Sequence, residues 1–317
     1  MLSLLSTPPM LRRLKRLLRP TPLATVTTMS LDERVEMATW CRDADLLPRA
    51  EGAGTVSTAP DGARHQTMHN GLRVHADGYC GAWMTELIRR CAGVHEPQEE
   101  RVFAEILARL PPYATMIELG AWWGFYSLWF LHAHPARRAI ALEPDPERRA
   151  LGAANAALNH LAPIFIDGFV GATSSPAEPF RLDSGVAITI PRRSVPDLMA
   201  AHAITTLDVL HCDAQGAEID VLSSCRDLLR EGRIRTIVVS THHHSITGDK
   251  LTHQSCLALV EDAGGTVIAE HDVQESFSGD GLIAARFGPD QAAWPMIPLS
   301  RNRAATSLFR ERKRFFF

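Results

Sequence analysis

Several things are missing from this 317-residue sequence, and each absence removes a class of protein. The six cysteines (Cys41, Cys80, Cys91, Cys212, Cys225 and Cys256) are scattered, with no Cys-x-x-Cys pair among them. That excludes a zinc ribbon and a disulfide framework and points to a reducing compartment, taken here as the cytoplasm. No apolar run approaches the roughly 18 residues of a membrane span. The net charge is only −3 and the pI near 6.5, so there is no global case for nucleic acid. No internal repeat is present. What remains, 45% hydrophobic and 22% charged residues, is ordinary for a globular chain with a substantial core.

Acids are absent from residues 1–31, while Leu11–Pro20 holds five basic residues among leucines, with Leu11, Leu14 and Leu18 on one helical face. Three readings compete: a solvated helix, a helix for a membrane surface or partner, or an organellar presequence. It is not a secretory signal, because no long apolar segment follows. Asp32–Ala50 reads as helix and Glu51–Thr67 as a Gly-, Ser- and Thr-rich linker, closing an N-terminal region over 1–67. Residues 68–112 read as additions to a fold. They comprise a short strand over Gly71–His75, a helix over Cys80–Ala92 with Trp83, Leu87 and Ile88 inward, and a helix over Pro97–Leu110. The last begins with proline and acids, which suits the helix dipole.

From residue 113 to 288 strands and helices alternate. Strands are expected at Thr115–Leu119, Arg138–Leu142, Pro163–Val170, Leu207–His211, Arg235–Ser240, Thr266–Glu270 and Leu282–Phe287. Helices are expected at Gly124–His134, Pro146–His160, Val195–Ala203, Ala217–Arg230 and Asp249–Asp262, with a hairpin or irregular crossing at Phe180–Ile190. This pattern implies an α/β fold: a Rossmann-like, doubly wound, mostly parallel seven-stranded sheet. The last two strands lack an intervening helix and so form a hairpin, which places one antiparallel strand near the edge. A tail over 289–317 ends in the basic, aromatic Arg312–Phe317.

In open α/β sheets ligands bind beyond the carboxyl ends of the strands. After the first strand stand Glu118, Gly120, Ala121, Trp122 and Gly124. The glycines let backbone approach a nucleotide-like ligand, as dinucleotide folds do. The acid before them repels phosphate but suits an ammonium group, so S-adenosylmethionine fits better than NAD. Glu143, 25 residues further on, is placed to accept hydrogen bonds from ribose hydroxyls, while Asp145 is better placed to cap the next helix. Asp167, after the third strand, is a candidate contact for an adenine amine or simply a turn residue. Asp213 ends the fourth strand and Glu218 opens the helix after it. Asp213 reads as a turn acid, a group that orients substrate, or a metal ligand. His242, His243 and His244 follow the fifth strand. They offer a general base for a hydroxyl, or a metal ligand pair with Asp213. A divalent metal is possible on this reading but is not expected.

Taken together, three segments resemble the FkbM type of class I S-adenosylmethionine-dependent methyltransferases. They are Glu118-Leu119-Gly120-Ala121-Trp122-Trp123-Gly124, then Glu143-Pro144-Asp145-Pro146 with Asn159 after its helix, and His211-Cys212-Asp213-Ala214-Gln215-Gly216-Ala217-Glu218. Glu96–Leu107 is similar to the helix that precedes the fold in that family, and the resemblance covers 71–287. Trp122 stands where the family has Asn, His211 where it has Lys, and Gln215 where it has Glu. The three histidines have no counterpart in the family pattern.

The resemblance implies O-methylation of a hydroxyl on a saccharide, glycolipid or natural product, with the acceptor as a small-molecule or saccharide partner. Glu118, Gly120, Ala121, Trp122 and Gly124 would meet the methionine part of the donor. Glu143 and Pro144 would meet the ribose, and Asp167 the adenine. His242 or His243 would be the base, with Asp213 in support. The alternative is a non-catalytic binding or scaffold protein that retains the fold. Membrane contact through residues 11–20 is a further expectation; the sequence is silent on oligomeric state.

Overall fold

The structure, a computed structural model, describes residues 26–289 and 294–311. The expectations for the basic segment 11–20 and for Arg312–Phe317 lie outside those residues.

Ahead of the main sheet come β1 (Val26–Thr28), α1 (Leu31–Thr39), β2 (Val56–Thr58), β3 (Arg64–Thr67), β4 (Arg73–His75), α2 (Ala82–Arg90) and α3 (Pro97–Leu107). Helix α1 starts with a capping box, in which Ser30 accepts from the Glu33 N–H and Glu33 returns the bond. The expected linker is not one. Val56–Thr58 and Arg64–Thr67 pair antiparallel and join β4 in a three-stranded sheet. The small residues that suggested a linker serve tight turns instead, with Gly52, Gly54 and Gly62 at positive φ. Gln66, buried in β3, donates to the Gly54 and Thr85 carbonyls and fixes this sheet against α2.

The main domain follows with β5 (Thr115–Leu119), α4 (Phe125–Ala133), β6 (Arg138–Glu143), α5 (Pro146–Leu158) and β7 (Ile164–Asp167). Then come β8 (Phe169–Val170), β9 (Ser175–Arg181), β10 (Ala187–Arg193), α6 (Val195–Ala201) and β11 (Val209–Cys212). The chain continues through α7 (Glu218–Ser224), α8 (Arg226–Arg230), β12 (Thr236–Thr241), α9 (His244–Thr247), α10 (Thr252–Asp262), β13 (Thr266–His271), β14 (Gly281–Arg286) and β15 (Phe309–Glu311). The seven-stranded sheet has the order β13-β14-β12-β11-β5-β6-β7, and β14 is antiparallel to both neighbours. This is the expected architecture.

The central strands are buried on both faces, so they read as continuous apolar runs. Met116, Val209 and Val238 face one core with Phe103, Phe125 and Leu128. Ile117, Leu210 and Ile237 face the other with Leu222 and Val260. Burial of this kind contributes roughly 25 cal/mol per Å² of apolar surface.

Two expected elements are broken. The third strand divides at Gly168, where φ is +134 and a Cβ would lie 2.7 Å from the Pro191 carbonyl oxygen. Beyond that point β8 leaves the main sheet and pairs with β10. The expected helix at Ala217–Arg230 divides at Cys225 into α7 and α8. The crossing near Phe180–Ile190 is a hairpin of β9 and β10. At the far end β15 returns to pair with β1, an arrangement the sequence did not suggest.

Candidate active site

A cavity of about 720 Å³ opens at the carboxyl ends of the parallel strands. Its floor is the turn between β5 and α4. Gly120 has φ +77, and a Cβ there would lie 2.0 Å from the Asp213 carbonyl oxygen, so no other residue fits. Gly124 has φ +74 and packs its backbone against the Phe165 ring. The turn is held down by the N–H groups of Gly120 and Ala121, which both donate to the Leu142 carbonyl at 3.0 Å.

Glu143 ends β6 at one side of the cavity. Its carboxylate accepts from the Trp122 N–H and the Asp145 N–H, both at 2.8 Å. Burial raises its pKa above the ordinary carboxylate range, against the pull of those two bonds. Asp145 caps α5, accepting from the Glu147 and Arg148 N–H groups, which leaves Glu143 to the cavity. Trp122 takes φ +43, a left-handed conformation that Asn adopts far more readily than an aromatic residue. Its ring is clasped on two sides: the Arg148 guanidinium lies 3.4 Å from the ring centroid and the Tyr79 ring meets it edge-on at 4.9 Å.

At the other side His242 leaves β12 and points into the cavity. Its Nδ1 lies 2.5 Å from Glu218 and its Nε2 lies 3.1 Å from Asp213 and 3.8 Å from Asp280. Carboxylates only accept, so both ring nitrogens carry hydrogen and the ring is an imidazolium. Burial alone would lower its pKa, but Asp280, Asp213 and Glu218 outweigh it and raise the value well above the ordinary range. Asp213 is also a product of competing effects: burial pushes its pKa up, and the hydrogen bond and charge of His242 bring it below the usual range. Asp280 is pushed up by burial to about 7, with the charge of His242 opposing.

Glu96, Tyr79, Trp83, Arg34 and Phe277 complete this end. Beneath it Glu96 accepts from the Tyr126 hydroxyl at 2.9 Å. His95 stands between Glu96 and Glu100; burial opposes its charge, but the two acids prevail and lift its pKa to about 10.

Residues 106–266, just over half of the chain, match the family described as the Methyltransferase FkbM domain. The chain belongs to that family. No curated protein matches it. Among solved structures it is similar to the precorrin-6y C5,15-methyltransferase of Geobacter metallireducens, at 16% identity over 59% of this chain and 88% of that one, with a TM-score of 0.38. TrmK of M. capricolum, solved with S-adenosyl-homocysteine, is 9% identical over 59% of this chain and 68% of that one, with a TM-score of 0.39. The METTL16 MTase domain is 12% identical over 81% of this chain and 93% of that one, with a TM-score of 0.44.

In this FkbM domain the structure brings Gly120, Trp122, Glu143, Pro144, Asp213 and His242 to one cavity. Ala121 is buried behind the turn. Glu118 does not reach the cavity: it is buried, accepts from the Ser127 N–H at 2.9 Å at the start of α4, and is pushed by burial to about 7. Asp167 is exposed and outside the cavity, whose wall is instead Gly168, Phe169 and Val170. His243 and His244 turn away from this cavity. His243 caps α9 and stacks on Phe309, at 4.0 Å and 3° between planes. Both line a separate cavity of about 540 Å³. The base expected at His243 therefore has no geometric support, and His242 is already protonated.

His211 stands in place of the family's Lys on β11; burial opposes its charge, but Glu99 prevails and raises its pKa. Its Nε2 lies 2.7 Å from the buried Glu99, whose other oxygen accepts from Ser240. Asn159 ties α5 to β4 by bonding the Arg73 N–H and carbonyl. Asp280, Glu96 and Tyr79 were missed in the sequence. Asp280 carried a signal, since Gly279 and Gly281 flank it and hold the loop close to Leu308 and Thr241. Among the described residues no cluster of three or more His, Cys, Asp or Glu is arranged to hold a metal.

Proposed function

We propose that this domain methylates a hydroxyl of a saccharide, glycolipid or natural-product acceptor, with S-adenosylmethionine as donor. The observation that carries the reading is the division of one cavity into two ends. The first has a backbone turn that only glycine can make and a carboxylate, Glu143, with acceptor capacity left over after two backbone bonds. The second is ringed by Asp213, Asp280, Glu96, Tyr79 and Trp83. A volume of about 720 Å³ suits two ligands meeting end to end.

The donor, when bound, supplies an electrophilic methyl group on a cationic sulfur. Glu143 would accept from the ribose hydroxyls. Asp213, between the turn and the acceptor end, is the carboxylate that complements the donor's positive charge. Tyr79, stacked on Trp123, and Trp83, covered by the Arg34 guanidinium, wall that end, and the surrounding carboxylates would accept from the acceptor's hydroxyls. Asp280, with a pKa of about 7, is the group matched to receive the acceptor's proton. His242 cannot do this while both its nitrogens donate; it holds Asp213 and Asp280 in place. Most of the rate enhancement would then come from alignment of the two reactants. The free cysteines among the described residues agree with the cytoplasm.

The test is calorimetry with S-adenosylhomocysteine, joined to transfer of a labelled methyl group across a panel of saccharide and lipid-linked acceptors. Tight binding and transfer to a hydroxyl are expected, and Glu143→Gln should weaken binding by about tenfold or more, as loss of a charged hydrogen-bond acceptor does. Absence of binding overturns the reading. Binding without transfer to any acceptor favours the non-catalytic alternative.

A further inference from the structure

The wall of the cavity beyond Glu143 is not part of the main sheet. It is the tip of the β9–β10 hairpin, where the Leu182 N–H donates to the Val186 carbonyl at 2.9 Å. Phe180, Arg181, Leu182 and Asp183 of that tip line the cavity. Phe180 stacks on Phe169 of β8, with centroids 4.7 Å apart, so this wall presents two aromatic rings. The hairpin belongs to a separate three-stranded sheet, and its tip meets the main domain through Arg148 of α5, which bonds Asp183 at 2.6 Å.

Arg148 is also the residue whose guanidinium covers Trp122. One side chain therefore links the glycine turn, helix α5 and the hairpin tip, the three elements around the end of the cavity next to Glu143. The left-handed tryptophan gains a reason in this arrangement. An Asn at position 122 would be easier on the backbone but would give Arg148 no face to lie on.

We propose that the hairpin tip is the outer wall of the nucleoside end of the site, and that Arg148 is a positioning residue which latches it there between Trp122 and Asp183. The ligand it encloses is the adenosine part of the methyl donor, with its flat base toward Phe169 and Phe180; this rests on the methyl-donor reading above. The latch acts on retention of the nucleoside. The hydrogen bonds and ion pairs of Arg148 go to Asp183 and Asp145, not to Asp213, His242 or Asp280 at the acceptor end.

The probe is S-adenosylhomocysteine and the readouts are its dissociation rate and amide hydrogen exchange at 180–186. In the wild type, binding should slow exchange at the tip. Asp183 is exposed, so Asp183→Asn should fold and melt as the wild type does. It should release the probe about three- to fivefold faster, the range for one partly exposed ion pair. Asp183→Lys, which sets a cation against Arg148, should release it faster still. Arg148→Lys keeps the charge but loses the planar stack, and should fall between the wild type and Asp183→Asn. Wild-type release rates in both Asp183 variants, or unchanged exchange at the tip when the probe is bound, would overturn the latch and leave the methyl-donor reading standing. No binding of the probe to the wild type would remove both.

Discussion

His242 and Glu218 form a buried pair, Nδ1 to Oε1 at 2.5 Å, with each side chain 1% exposed. The pair joins the end of β12 to the start of α7, and its second nitrogen reaches the cavity through Asp213. Removal of the ring leaves Glu218 buried without its cation. His242→Ala should therefore destabilise the fold by about 3–5 kcal/mol. The pH dependence has a definite sign. The folded pKa of His242 is raised, so its contribution is complete below the unfolded value near 6.5 and is lost as pH rises from there through the folded value. Urea unfolding of wild type and His242→Ala at about pH 6 and about pH 9 checks this. The wild type should lose more stability than the variant across that interval, and equal losses would refute the imidazolium.

Gly120 and Gly216 both have left-handed φ, +77 and +87, but they differ in what surrounds them. An added Cβ at Gly120 meets the Asp213 carbonyl at 2.0 Å, whereas at Gly216 nothing lies within 4 Å. Gly216→Ala should cost only the backbone strain, about 1 kcal/mol. Gly120→Ala must also displace the strand end that carries Asp213, so it should cost more than about 3 kcal/mol and abolish binding of S-adenosylhomocysteine. Melting curves and calorimetry on the two variants make the comparison. Similar effects would mean that the close approach of the turn to Asp213 is wrong.

These two cases also show what was legible beforehand. Strand β5 and its turn were readable because a strand buried on both faces is a continuous apolar run, and because an acid followed by two glycines ends it; the glycine spacing alone is common in α/β turns. The capping role of Asp145 and the direction of Glu143 followed from the same local logic. Strands β2 and β3 were not readable: VST and RHQT are short and polar, and their order comes from pairing with β4 and from the buried Gln66. Nor could the sequence choose among the three histidines. That choice is made by Glu218, 24 residues earlier in the chain, which draws His242 one way while Phe309 holds His243 the other. For Glu118 the deciding partner is local: the Ser127 N–H, nine residues on, ties it to the start of α4 and not to the cavity.

A second buried charge set titrates with the opposite sign. Glu100 is fully buried, accepts from the backbone N–H groups of His95 and Glu96, and lies at ion-pair distance from the His95 and His69 rings, 2.6 and 3.0 Å away. Burial would raise its pKa, but the two imidazoles prevail and hold it well below the ordinary range. Its contribution is therefore present above the unfolded value near 4.5 and is lost as pH falls below it. Glu100→Gln should destabilise by about 3–5 kcal/mol at neutral pH, since it leaves His95 and His69 facing an uncharged amide. It should also flatten the loss of stability between about pH 5 and about pH 3. An acid limb as steep as that of the wild type would show that other carboxylates govern it.

The contrast between adjacent histidines gives the sharpest check on the site. His243 is buried, its ring is parallel to Phe309 at 4.0 Å, and its Nδ1 accepts from the Ser245 N–H at 3.2 Å to cap α9. These are structural duties on the side away from the methyl-donor cavity. An aromatic stack and a helix cap are each worth roughly 1 kcal/mol, so His243→Ala should destabilise by about 2 kcal/mol. It should nonetheless bind S-adenosylhomocysteine within about twofold of the wild type. His242→Ala should lose at least tenfold in that affinity where it remains folded, because the Asp213 carboxylate beside the glycine turn would lose its hydrogen-bonded cation. Calorimetry on both variants, at a temperature well below either melting point, separates them. A large loss of affinity in His243→Ala with none in His242→Ala would reverse the assignment of the two side chains.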